Sequence, residues 1–233
     1  MENPADSQSH KSYTNRCASF KKKMGWKIYT TFIKIKEKIE INNDFVNSLG
    51  FKNFDFTEKT EFNFGPKIGE LYIGIYKDYL MIAHSGLSFE FEQETKTESK
   101  IISIFPNSEI ISIHIGYILS FCLFENGIKI RRKSVGDEIF ENSGKLIEEE
   151  LYWKSQELIE KTELDEFTEQ EYQIELENRL AYETCFELTK RIFGKRFDEF
   201  NLNEYNHQGF KFVNKLIEKE NRLGEKFKIK QFE

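Results

Sequence analysis

Glu109 to Lys133 reads E-I-I-S-I-H-I-G-Y-I-L-S-F-C-L-F-E-N-G-I-K-I-R-R-K. Two β-branched and aromatic runs flank Glu125-Asn126-Gly127. Asn-Gly tolerates the positive φ angles of a two-residue turn, so the stretch predicts a β-hairpin. Ile110 to Phe124 is apolar at most positions, which predicts one central strand covered on both faces, with a bulge near Gly116. On it, Ile113, Ile115, Leu119, Phe121 and Leu123 are expected in the core.

The same pattern continues towards the N-terminus. Trp26 to Ile33 reads as a strand. Leu71 to Ile75 and Tyr79 to Ala83 read as a second hairpin, closed by Lys77-Asp78. Asn43 or Asp44 is expected to cap a short helix that Gly50 stops. Ile101 to Phe105 reads as a short strand ended by Pro106. From Ile147 the period changes. Leu151, Trp153, Leu158 and Ile159 suggest one helix. Tyr172, Leu176, Leu180, Leu188, Ile192 and Phe193 recur at helical spacing over Glu171 to Phe200, with Gly194 as a break. Gly209 opens a last segment in which Phe210, Phe212 and Val213 are expected to dock on the sheet. Strands first and helices after argue an α+β fold: a mostly antiparallel sheet in the N-terminal two-thirds, packed against C-terminal helices.

The 233 residues suit one domain, and residues 24–233 are expected to form it. Residues 1–23 are polar and lack apolar periodicity, so they read as a disordered or tag-like extension, with Met24 as a candidate start. Aromatics make up 15% of the chain, far above what a disordered chain carries. Mean hydropathy is −0.60, and Ile110 to Phe124 is shorter than the roughly 20 apolar residues of a spanning helix, so no membrane segment is expected. Cys17, Cys122 and Cys185 have neither disulfide-framework nor zinc-ligand spacing. A reducing cytoplasm is the expected compartment.

The net charge of −6 is unevenly spread. Residues 137–178 hold fifteen Asp/Glu and three Lys, a balance of −12. An acidic block of this kind disfavours nucleic acid as a partner. It marks Glu148, Glu149, Glu150, Glu157 and Glu160 as a candidate face for a basic protein partner. The competing reading is a solvated helical surface.

Phosphate-binding loops, nucleophile elbows and H-E-x-x-H zinc motifs do not occur in the sequence. No catalytic residue, metal site or cofactor is therefore assigned. His84-Ser85-Gly86 reads as a hydrogen-bonded turn. His114 in the apolar run, with Arg131 and Lys133 after the hairpin, forms a candidate ligand or anion site. Its competitor is an edge strand kept soluble by charge. The sequence is thus expected to be a non-enzymatic interaction or regulatory module, the immunity type included. The alternative is an enzyme or small-molecule binder with a site at one end of the sheet, built from His114, Arg131 and nearby Tyr residues.

Several phrases recur in order: Met24-Gly25-Trp26-Lys27, Gly69-x-x-Tyr72-x-Gly74, Phe121-x-x-Phe124-Glu125-Asn126-Gly127, Gly144-Lys145-Leu146, and Lys190-Arg191-Ile192-Phe193-Gly194 with Gly209-Phe210 beyond. Together they resemble an uncharacterised bacterial single-domain family, a domain of unknown function. The resemblance implies a domain from about Met24 to Phe212. It brings no activity and no catalytic residues.

Overall fold

The structure is a computed structural model and describes residues 27–87, 91, 95–156, 158, 168–200 and 207–217. The expected extension 1–23, and Glu157 and Glu160, lie outside these residues. Nine strands form one antiparallel sheet. They are β1 (Ile28–Lys34), β2 (Phe54–Glu61), β3 (Glu70–Tyr76), β4 (Tyr79–Ala83), β5 (Ile110–Ile115), β6 (Leu119–Glu125), β7 (Ile128–Val135), β8 (Ile139–Gly144) and β9 (Gln208–Asn214). The order across the sheet is β2-β9-β3-β4-β1-β5-β6-β7-β8. Four α-helices are described: α1 (Asn43–Ser48), α2 (Lys96–Ile104), α3 (Glu148–Lys154) and α4 (Glu169–Phe193). None is long and apolar enough to cross a membrane.

The α+β architecture follows from how the strands alternate. Phe32, Ile111, Ile113, Ile115, Phe121 and Leu123 point to one face and pack with Ala181, Phe186, Leu188 and Ile192 of α4. Ile33, Leu71, Ile73, Leu80, Ile82 and Phe212 point to the other and pack with Val46 of α1 and Ile101 of α2. We call these the α4 face and the α2 face. Thr168 caps α4, its hydroxyl accepting from the Glu171 N–H while Glu171 accepts from the Thr168 N–H, a reciprocal capping box. The helix ends at Gly194, as the sequence suggested.

Both predicted hairpins form. Asn126 and Gly127 take φ of 51° and 75° between β6 and β7, the geometry their residue types favour. Lys77-Asp78 turns β3 into β4.

Four expectations change. Asn42, not Asn43 or Asp44, caps α1, its side-chain oxygen accepting from the Phe45 N–H at 2.9 Å. Ile110 to Phe124 is not one strand. The chain reverses at Gly116–Ile118, and β5 pairs with β6, Ile110 opposite Phe124 and Ile115 opposite Leu119. Ile101 to Phe105 belongs to helix α2 and its C-terminal cap, because Thr95 caps a helix into which Ile101 is buried. The Gly209 segment does more than dock: as β9 it lies inside the sheet, between β2 and β3.

Candidate functional site

Successive strand residues point to opposite faces. Arg131 and Lys133 therefore face α4, whereas Arg132 faces the other way with His114. The expected site of His114, Arg131 and Lys133 is divided by the sheet itself.

On the α4 face, Arg131 is 2% exposed, and Lys133 and Glu150 are each 0% exposed. Arg131 donates through Nε and Nη2 to the two Glu150 oxygens, at 2.6 and 2.7 Å. Its remaining donors reach the Ser143 carbonyl at 2.7 Å and Asn142 Oδ1 at 2.5 Å. Lys133 pairs with Glu177 of α4 and lies 3.9 Å from Glu150. Glu150 also sits in the first turn of α3, where a carboxylate is favoured by the helix dipole. A bidentate guanidinium–carboxylate pair with its other hydrogen-bonding groups occupied is a structural clamp. It ties β7 and β8 to α3 and α4. This corrects two expectations. β7 is not an edge strand, since β8 pairs along it. Nor is Glu150 part of an accessible acidic face.

The α2 face of the same strands carries a polar field. One cross-strand row runs Tyr29, His114, Ser120, Ser134, Glu141. A second runs Thr31, Ser112, Cys122, Arg132, Ser143. Thr31 donates to Ser112 Oγ at 3.0 Å, and Arg132 lies 3.5 Å from Glu141. The Tyr29 and His114 rings lie against each other with centroids 4.5 Å apart, tilted by 33°. Ser134 Oγ and Arg132 Nε are buried without a hydrogen-bond partner. Burial lowers the His114 pKa to about 4 and raises that of the Tyr29 phenol. His114 is thus a neutral hydrogen-bonding ring at neutral pH, too weak a base to take up a proton there. The sequence reading missed this field by treating Ile110 to Phe124 as apolar on both faces. Its signal was the period-two placing of Ser112, His114, Ser120 and Cys122 between apolar residues.

The remaining acidic candidates separate in the same way. Glu149 accepts two bonds from Arg191, at 2.6 and 2.9 Å, and Arg191 also donates to Glu109 at 2.8 Å. These carboxylates hold the Arg191 pKa above its ordinary value, chiefly through the Glu149 hydrogen bond. Glu148 is exposed. His84 accepts from the Gly86 N–H at 3.2 Å, the turn expected from its sequence.

Exposed apolar side chains gather where the acidic stretch begins. Phe140 is 48% exposed and Ile139 41%. Tyr117, 66% exposed, donates to Asp137 at 2.5 Å. The Phe140 ring and the Ile118 side chain both lie beside Gly136. Asp137 and Glu138 are exposed, and Glu141 is half-buried. An open groove of about 1110 Å³ lies elsewhere, lined by Lys38, Asn42, Asp44, Phe56, Lys59 and Phe210. Among the described residues, no three His, Cys, Asp or Glu side chains are grouped to hold a metal.

A scan against protein-family models, a search of curated proteins and a search of solved structures each found no match.

Proposed function

We propose that this chain is a protein-interaction module, regulatory or immunity-type, that receives a basic partner protein on the surface around β8. One observation supports the reading above others. Tyr117, Ile139 and Phe140 are exposed apolar side chains, Tyr117 bonded to Asp137 and the other two flanked in sequence by Glu138 and Glu141. Apolar anchors within a charged rim are the anatomy of a protein interface, the anchors holding the complex and the charges steering its formation. Glu148 extends the acidic rim along the chain.

A partner recovered from the native host and identified by mass spectrometry supplies the test. Its association rate with the wild type should fall as salt rises, since charges of opposite sign attract over a Debye length of about 8–10 Å. Replacing Glu138, Glu141 and Glu148 with Gln should slow association and flatten that salt dependence. An on-rate indifferent to both changes overturns the proposal.

A second reading is favoured by Ser134 Oγ and Arg132 Nε, buried and unpartnered on the face that also carries His114. In it, the polar field of the α2 face holds a small polar ligand. A defined small molecule that raises Tm in the wild type but not in Ser134→Ala would support this reading.

A further inference from the structure

We infer that the open edge of β8 accepts an extended basic segment of the partner as an added strand, an inference that rests on the interaction reading above. Among the described residues β8 ends the sheet order, and its residues are exposed along almost its whole length. Its register shows which backbone groups face outward. Lys145 donates its N–H to the Ile130 carbonyl at 3.0 Å. Hydrogen-bonded pairs alternate along an antiparallel ladder, so Ser143 with Arg132 and Glu141 with Ser134 are also bonded pairs. Asn142 and Gly144 lie between them, and their N–H and C=O groups point to the open edge.

Both ends of this run are bounded. Phe140 is the extra residue of a bulge between β7 and β8, which interrupts the ladder. Gly144 takes φ of 88°, and a Cβ there would meet the Ile130 carbonyl oxygen at 2.2 Å. The open run is short and interrupted, which guards against indiscriminate sheet-to-sheet pairing. An added strand gains few backbone bonds, so recognition must also come from side chains. Phe140 and Ile139 supply apolar contacts. Glu141 on the strand, with Asp137 and Glu138 in the turn before it, places acidic groups beside this edge and favours Lys or Arg in the incoming segment. A second copy of this chain is disfavoured as occupant, because it carries the same acids around β8 and a net charge of −6.

A short peptide alternating Lys with Val is the probe. Its control has the same charge but is interrupted by Pro, which cannot complete a ladder. The full chain should bind the first and not the second. Binding should slow amide exchange at Asn142 and Gly144. Asn142→Pro removes the outward donor, and Asn142→Ala keeps it while losing the side-chain bond to Arg131. The peptide should bind Asn142→Pro about tenfold or more weakly than Asn142→Ala, the effect of a lost hydrogen bond plus blocked pairing. Equal binding of the two peptides, or no slowing of exchange at Asn142 and Gly144, overturns strand addition while leaving the basic-partner reading standing. A host partner whose on-rate ignores salt and the Glu→Gln changes overturns that reading instead.

Discussion

Arg131 and Glu150 show how one pair of side chains can set the character of a region. Both lie in the interior, and each is the other's main partner. Removing one leaves the other charged and unpaired in a poorly polarisable surround. Glu150→Ala should therefore destabilise the fold by about 3–5 kcal/mol. Replacing both with apolar residues of similar size, Arg131→Met with Glu150→Leu, should cost less than Glu150→Ala alone. Denaturant melts of the single and double variants check this, and a double variant worse than either single would contradict the clamp. His114 makes a second test at this scale. Its folded pKa near 4 lies below the ordinary 6.5, so the folded state resists protonation more than the unfolded chain does. The resulting stability is fully present above pH 6.5 and is lost as pH falls towards 4, by about 3 kcal/mol over that window. His114→Gln should flatten the fall in stability between pH 6.5 and 4 relative to the wild type. An unchanged slope would show that the ring is protonated without penalty.

At the scale of elements, β6 and α4 show what periodicity does and does not reveal. Phe121 faces α4 and is almost fully buried, so Phe121→Ala should cost about 3–5 kcal/mol in chemical denaturation. A loss below about 1 kcal/mol would mean that the strand does not carry this core. Thr168→Ala removes the cap of α4 and should cost about 1 kcal/mol, much less than the core truncation, because it frees one end rather than opening a cavity. α4 was legible because apolar residues recur along it at helical spacing. β8 was not. I-F-E-N-S-G has no sustained alternation, and its place in the sheet comes from pairing with β7. α2 was misread because Ile101 to Phe105 is apolar and short. A run of that length fits either a strand or a turn of helix, and the Thr95 cap decides it.

For the whole molecule, the placing of β9 matters most. It bonds to β2 on one side and β3 on the other, joining residues near 55 and 70 to residues near 210. Among the described residues, β2 has no other strand neighbour. A chain ending at Phe200 should lose the pairing of β2, expose Leu71 and Ile73 of β3, and unfold at a lower Tm with reduced cooperativity. Calorimetry on the truncated and full chains tests this, and equal Tm values would show that β9 is dispensable. Closing so long a loop is entropically unfavourable before its contacts form, so folding of the full chain should be slow for its size.

The α+β class, the two hairpins, the extent of α4 and most of the core were present in the order of residues. Period two and period 3.6, Asn126-Gly127, and the Gly194 stop are local signals, and local geometry obeys them. Which face each polar residue serves was decided only when the strands paired. His114 met Tyr29 and Ser120, and Arg132 met Glu141, through the register of five strands. Arg131 and Lys133 were placed opposite Glu150 and Glu177, from segments 19 and 44 residues away, through the packing of α3 and α4 on β7. The sequence marks these residues as charged. Desolvation by neighbours distant in the chain is what made them partners of one another, and it left the acids and aromatic rings around β8 facing solvent.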